Sequence, residues 1–245
     1  MATAYELAFL SNFSYTSQTG QSSRAFEIPI SKTKDYKPTF IDASHIRSSK
    51  QGKYLWAIVN DVGLFNNMYC ATFKNLQTNE MVFAFRGTRT NNFVNAAADI
   101  AVDAVHLLIR KSPYIEAAKN YLGRHITNNS IITGHSLGGY LAISMAFYFR
   151  NNRIASFNAP HVMSGFGEAF DASRTHLQNN FLSNKIVCYN STKDFASILT
   201  KVFGTGGLKM NNIKYVNLPN AGFHGLKPML DQLQKRKNAI NWNAK

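Results

Sequence analysis

The chain has few of the residues and segments that cross-link a protein or anchor it in a bilayer. It contains two cysteines, Cys70 and Cys188, in 245 residues. Each lies in an apolar run typical of a strand, so we expect two buried free thiols and no disulfide framework. No stretch of about 18 uncharged apolar residues occurs, and the closest, residues 93–109, is interrupted by two aspartates and a histidine. We therefore expect no transmembrane helix.

A secretory signal is also missing from the sequence pattern. The first residues show no basic segment followed by an apolar core, which is the pattern of a signal peptide. The expectation is a protein that is cytoplasmic when made and whose export, if it occurs, follows a signal-independent route.

Acidic residues are scarce. There are 13 Asp and Glu residues against 27 Lys and Arg, a formal charge of +14. Such a balance favours anionic partners, namely lipid head groups, nucleic acid or an acidic protein. Apart from Lys235-Arg236-Lys237 the bases are dispersed, so an ordinary solvated basic surface is the alternative. A nucleic-acid-binding module would cluster its bases with aromatic residues on one face, and the dispersed bases argue against that partner.

What is present is an alternation of strand-like and helix-like segments. Strands are predicted at residues 54–59, 68–73, 81–85, 131–133, 153–157, 185–189 and 213–216, and helices at 5–13, 92–111, 114–125, 140–149 and 225–235. Residues 14–53 read as loop-rich. This order predicts a single α/β domain over residues 1–245, with a mostly parallel central sheet and helices on both faces.

The most informative segment is the run of residues 134–139, GHSLGG, between a predicted strand and a predicted helix. A serine in that context sits on a strained turn, with its hydroxyl above the sheet edge. Gly134 and Gly138 allow a close backbone approach on either side. The helix that follows directs its N–H groups at developing negative charge. The pattern predicts a nucleophile elbow with Ser136 as the nucleophile, and a glycine-rich turn with an incidental serine is the alternative.

A serine nucleophile needs a base and a group that orients the base. In this architecture the acid and then the histidine follow the serine along the chain. The acids and histidines after the serine are Glu168, Asp171, Asp194, Asp231, His161, His176 and His224. Asp194 follows a predicted strand and His224 lies between the last strand and the last helix, and catalytic groups collect at the carboxyl ends of parallel strands. We therefore predict a triad of Ser136, Asp194 and His224, and treat His135 as structural.

Acyl transfer also requires donors for the tetrahedral oxyanion. One is the N–H of the residue after the nucleophile, here Leu137. The second comes from a loop after an earlier strand, and Phe85-Arg86-Gly87-Thr88 ends such a strand. Gly87 permits a sharp backbone path, and Thr88 offers both its N–H and its hydroxyl. Leu137 and Thr88 are thus the predicted oxyanion donors.

Together these segments resemble the class 3 lipases of the α/β-hydrolase superfamily. The matching segments are residues 82–88 (VFAFRGT), 133–139 (TGHSLGG), 157–160 (FNAP), Asp194 and His224. Their order and approximate spacing also match, so the resemblance covers most of residues 54–235. Two departures occur: Asn158 stands where the family usually has glycine, and Asn92-Phe93 stands where it often has Asp-Trp. These departures bear on the substrate more than on the catalytic core.

The resemblance implies hydrolysis of a carboxylic ester of a lipid or phospholipid at a membrane surface, without a metal or other cofactor. A lipase or an A-type phospholipase is the activity it favours. Some bacterial relatives are phospholipase effectors delivered into competing cells, and an acidic protein inhibitor would protect the producing cell. An esterase or thioesterase that acts on soluble acyl substrates shares the same triad and is the alternative enzyme.

Overall fold

The computed structural model describes residues 1–15, 24–29, 36–41, 55–65, 68–87, 113–128, 130–160, 175–192, 212–219, 221, 225–236, 240 and 242. The helices and strands described there are, in chain order, α1 (Ala4–Phe13), β1 (Ala25–Glu27), β2 (Thr39–Ile41), β3 (Leu55–Phe65), β4 (Met68–Asn75), β5 (Met81–Phe85), α2 (Pro113–His125), β6 (Ile131–His135), α3 (Leu137–Ser144) with a 3-10 turn (Met145–Phe147), β7 (Arg153–Phe157), α4 (Thr175–Ser183), β8 (Lys185–Ser191), β9 (Ile213–Leu218) and α5 (Leu226–Arg236).

The nine described strands form one sheet, in the order β2-β1-β3-β4-β5-β6-β7-β8-β9. From β5 to β9 every strand runs parallel to its neighbour. From β2 to β5 the neighbours are antiparallel. Parallel neighbours need a long crossover, and the helices between these strands supply it. The predicted parallel sheet is confirmed in this half, where five strands end at the same edge.

Helices cover both faces of the sheet, as predicted. On one face α1 and α5 pack on the strands, and Phe9, Phe73 and Leu230 belong to a single buried apolar cluster. On the other face the cluster joins residues of α2, α3 and α4, among them Leu141 and Phe181, to the same strands. This layering buries both faces of the inner parallel strands, which explains why β5 and β6 are largely apolar rather than alternating. Among the described residues, no helix combines the length and apolar character needed to cross a bilayer.

Three described elements were not predicted from the sequence. Strands β1 and β2 lie within the segment read as loop-rich, and α4 lies between two predicted strands. The two strands have three residues each, too few to show a hydrophobic period, and they form because β1 pairs with β3. Strand β3 also runs beyond its predicted end and forms a hairpin with β4. The helix predicted at residues 92–111 lies outside the described residues.

Helix α1 is held at both of its ends. Thr3 caps its first turn: the Thr3 hydroxyl accepts from the Glu6 N–H at 3.2 Å, and a Glu6 carboxylate oxygen accepts from the Thr3 N–H at 2.8 Å. The other Glu6 oxygen accepts from Trp56 Nε1 of β3 at 3.1 Å. Near the carboxyl end, the Ser11 and Thr133 hydroxyls are 3.1 Å apart in the interior. These contacts fix the position of the helix against β3 and β6, and hence of the residues that follow it.

Candidate active site

Ser136 lies at the turn between β6 and α3. Its backbone has φ 55° and ψ −127°, a conformation that non-glycine residues adopt at a cost of about 1–3 kcal/mol. The turn is braced on both sides, because the Ser136 N–H donates to the Phe157 carbonyl at 2.9 Å and the Ser136 carbonyl accepts from Tyr140 at 3.0 Å. Strain held by its surroundings in this way is typical of a nucleophile elbow.

Ser136 is buried at this turn. Only 4% of the residue is accessible to solvent. The serine does follow the last residue of β6, at the carboxyl edge of the parallel strands. Where water is excluded, the local dielectric constant is lower, and electrostatic interactions at such a side chain are stronger.

Two glycines of the elbow lie in backbone-to-backbone contact. A Cβ on Gly134 would come under 3.0 Å from the carbonyl group of Gly138. A Cβ on Gly138 would come equally close to the carbonyl group of Phe85, at the end of β5. Strand β6, helix α3 and strand β5 thus approach one another to a distance that only glycine permits.

The same approach brings the predicted oxyanion segments together. A Cβ on Gly87 would lie 2.8 Å from the His135 carbonyl oxygen and 3.3 Å from the Leu137 nitrogen. Gly87 therefore lies directly beside the Leu137 amide, which begins α3. Thr88, the other predicted donor, lies outside the described residues and follows Gly87 in the chain.

The two remaining predicted triad residues, Asp194 and His224, also lie outside the described residues. Their neighbours in the chain are described: β8 ends at Ser191 and α5 begins at Leu226. In the sheet, β8 is separated from β6 only by β7. The carboxyl end of β8 is therefore at the same edge of the sheet as Ser136.

Of the other acids and histidines considered, two are described. Asp231, on α5, accepts a hydrogen bond from the Tyr36 hydroxyl. His176, near the start of α4, is exposed. Glu168, Asp171 and His161 lie outside the described residues.

Asn158 joins two strand ends beside the serine. It has φ 45° and is fully buried. Its N–H donates to the Tyr189 carbonyl at 2.8 Å, and its Oδ1 accepts from the Ser191 N–H at 2.8 Å. Asparagine tolerates the left-handed region better than most residues, so it takes the glycine-like conformation and adds a hydrogen bond. Asn158, which stands where class 3 lipases usually have glycine, thus links β7 to the end of β8 at Ser191. Ser191 lies three residues before Asp194 in the chain.

The cysteines are buried and free, as predicted. Burial raises the pKa of the Cys188 thiol to about 11 and that of Cys70 well above its ordinary value. Both therefore stay protonated at neutral pH, and a thiol in that state is a poor nucleophile. Within the described part of the chain, no three His, Cys, Asp or Glu side chains come together to hold a metal ion.

Tyr15 is the residue of this site that sequence reasoning missed. It follows α1, and its hydroxyl accepts from the Gly87 N–H at 3.0 Å. The same hydroxyl lies 3.1 Å from His135 Nδ1. No local motif marks it, because its partners come from distant strands.

No protein-family model and no curated protein sequence matches this chain. Solved structures that are similar to it include a lipase from Rhizopus microsporus var. chinensis (16% identity, 61% of this chain and 58% of that chain, TM-score 0.40). Others are the Lip2 lipase from Yarrowia lipolytica (14% identity, 86% and 77%, TM-score 0.48) and a mutant form of MDLA from Penicillium cyclopium (14% identity, 97% and 88%, TM-score 0.46). The match thus spans less than two thirds of the Rhizopus lipase.

The chain has the α/β-hydrolase fold. Its parallel strands β5–β9, the helices on both faces and the sharp strand-to-helix turn at Ser136 are the features that define that fold.

Proposed function

We propose that this chain is a serine hydrolase that cleaves carboxylic ester bonds of lipids through an acyl-enzyme. The observation that carries the proposal is the elbow: Ser136 has φ 55° between β6 and α3, and Gly87 lies beside the Leu137 amide. This geometry supports the proposal, because acyl transfer requires a nucleophile next to an oxyanion donor.

In the proposed reaction the Ser136 oxygen attacks the ester carbonyl carbon while His224 takes the hydroxyl proton. Asp194 orients His224 and stabilises its charged form. The N–H groups of Leu137 and Thr88 bind the oxyanion of the tetrahedral intermediate. As that intermediate collapses, His224 gives the proton to the departing alcohol. Water, activated by the same histidine, then attacks the acyl-enzyme and releases the fatty acid and Ser136.

Lipid is proposed as the substrate, on the resemblance to class 3 lipases and on the charge of +14. Within that class an A-type phospholipase fits best, because a basic protein is drawn to the anionic phospholipids of a membrane. The biological setting we propose is that of a bacterial effector that attacks the membranes of competing cells.

Purified protein incubated with mixed bacterial lipids is expected to release free fatty acids and lysophospholipids. Each cleavage at a carboxylic ester releases one fatty acid and one lysophospholipid that keeps its phosphate. The two products should therefore appear in equal amounts by mass spectrometry at early times. Phosphatidic acid or diacylglycerol as the main product would place the cleavage at a phosphodiester and contradict the proposal. Hydrolysis of soluble p-nitrophenyl esters with no lipid product would favour the soluble-ester alternative.

Hydrolysis is expected to be faster on vesicles that contain phosphatidylglycerol than on purely zwitterionic ones. Each basic residue near an anionic surface contributes about 1 kcal/mol, and the advantage should vanish with salt, since the Debye length falls from about 10 Å at 0.1 M to about 3 Å at 1 M. The measurement is the initial rate on both vesicle types across a salt series.

Two exposed lysines give a matched pair of variants for that measurement. Lys227 is the second residue of α5 and lies three residues after His224 in the chain. Lys185 begins β8, at the edge of the sheet opposite Ser136. Lys227→Glu should reduce the preference for anionic vesicles more than Lys185→Glu does. Equal rates on both vesicle types at low salt would remove the membrane as the explanation for the charge, and an acidic protein inhibitor would then be the better account.

A further inference from the structure

The Tyr15 hydroxyl connects the two backbone segments that flank the oxyanion site. It accepts from the Gly87 N–H at 3.0 Å, and it lies 3.1 Å from His135 Nδ1 and 3.4 Å from the His135 carbonyl oxygen. Gly87 follows β5 and precedes Thr88 in the sequence, and His135 ends β6 and precedes Ser136. One side-chain oxygen therefore touches both halves of the site.

Tyr15 is held there by contacts of its own helix. The chain leaves α1 through a hydrogen bond from the Tyr15 N–H to the Asn12 carbonyl at 3.1 Å. The helix is joined to β6 by the Ser11–Thr133 contact at 3.1 Å, and Thr133 also donates to the Ala155 carbonyl of β7 at 2.8 Å. The ring itself meets the His135 ring edge-on, with centroids 5.9 Å apart. These contacts fix the orientation of the Tyr15 side chain, so little conformational entropy is lost when its hydroxyl holds Gly87 during the reaction.

We propose that Tyr15 is a positioning residue for the oxyanion site, whose hydroxyl fixes Gly87, the residue before the proposed donor Thr88, at the correct distance from the Leu137 amide. This inference rests on the proposed function. The two proposed donors lie in different parts of the chain: Thr88 follows β5 in sequence, and Leu137 begins α3. Donors act only when they are preorganised around the place where charge develops. Misplacement by about 1 Å can cost on the order of 100-fold in rate.

The chemistry of the hydroxyl suits positioning rather than direct catalysis. Its oxygen accepts the Gly87 N–H, so that N–H is committed to Tyr15 and the next donor along the chain is Thr88. Its single hydrogen has His135 as an acceptor, at the ring nitrogen or at the carbonyl. Burial raises the pKa of the Tyr15 hydroxyl above its ordinary value, so it remains protonated and keeps both roles at all pH values where the enzyme would act.

The test is Tyr15→Phe, which removes the hydroxyl and leaves the ring. Tyr5→Phe is the matched control, because Tyr5 lies on α1 and its hydroxyl donates to the Pro29 carbonyl at 2.7 Å. With p-nitrophenyl butyrate, Tyr15→Phe should lower kcat about 10- to 100-fold and leave KM within about twofold. Inhibition by butaneboronic acid, whose tetrahedral adduct places an oxygen in the oxyanion site, should weaken by a similar factor. The urea midpoint should shift no more than in Tyr5→Phe.

A kcat and a boronic acid affinity equal to those of Tyr5→Phe would overturn the positioning role. Loss of folded protein in Tyr15→Phe alone would assign the hydroxyl to folding and would overturn it as well. Ser136→Ala, measured in parallel, separates this inference from the proposed function. Hydrolysis that survives in Ser136→Ala refutes the function itself, whereas an inactive Ser136→Ala with a fully active Tyr15→Phe refutes only the role of Tyr15.

Discussion

Ser136→Ala is expected to abolish ester hydrolysis and labelling by fluorophosphonates while the protein remains folded. The hydroxyl is the atom that would form the acyl-enzyme, and alanine removes only that oxygen. Loss of a triad nucleophile costs on the order of 10⁶-fold in kcat. Labelling stoichiometry by mass spectrometry and hydrolysis of p-nitrophenyl butyrate measure the two effects. Full labelling of the variant would show that Ser136 is not the nucleophile.

The other members of the proposed triad give the companion measurements. His224→Ala should be about as inactive as Ser136→Ala, since triad residues act as a unit. Asp194→Asn should also lose activity but retain more of it. Asp171→Asn is the control for the acid, and a crippled Asp171→Asn beside a fully active Asp194→Asn would move that assignment to Asp171.

A second replacement at the serine tests the strain in the elbow. With φ 55°, glycine fits this position better than alanine, so Ser136→Gly should unfold at a higher urea concentration than Ser136→Ala although both are inactive. At an ordinary position glycine is less stable than alanine, by roughly 0.5–1 kcal/mol. If Ser136→Gly is the more stable of the two variants, the backbone at residue 136 is strained in the folded protein. If Ser136→Ala is the more stable, that strain is absent.

Gly138→Ala is expected to lower the free energy of unfolding by about 3 kcal/mol and to abolish activity. Its new methyl group would meet the carbonyl carbons of Phe85 and Arg86 at under 3.0 Å, and backbone atoms cannot turn away as a side chain does. Either β5 or the start of α3 must move, and the Leu137 amide and Gly87 would separate as a result. Urea unfolding and hydrolysis of p-nitrophenyl butyrate measure the two consequences.

Gly123→Ala is the matched control for that variant. Gly123 lies in α2, and a Cβ there would meet no atom within 4 Å. The same substitution should therefore stabilise the protein by about 0.5–1 kcal/mol, because alanine has less conformational freedom to lose and favours a helix. Equal free energies of unfolding for Gly138→Ala and Gly123→Ala would show that the close backbone approach at the elbow does not affect stability.

The elbow could be predicted because its determinants are local. An apolar strand, a glycine on each side of the serine and an apolar helix all occur within residues 131–144. Backbone sterics and hydrophobic pattern act over such distances without help from the rest of the chain. The burial of Ser136 could not be predicted, since it depends on what the remainder of the fold places over the turn.

Residues whose partners lie on distant segments of the chain could not be predicted from local sequence patterns. Tyr15 is one of 11 tyrosines, and its partners Gly87 and His135 are 72 and 120 residues away. Asn158 was visible only as a departure from the family pattern. Its bond to the Ser191 N–H follows from the parallel pairing of β7 with β8, which places these strand ends side by side.

The sequence by itself determined the alternation of strands and helices, the strand–turn–helix at Ser136 and the order of the proposed triad residues along the chain. Each of these depends on preferences that operate within one segment or on the order of segments. Only the tertiary structure decided that Gly87 lies against the Leu137 amide, that Tyr15 joins both segments, and that β1 and β2 extend the sheet. Those features arise where segments far apart in the chain meet, and the energy of such contacts exists only after the sheet has assembled.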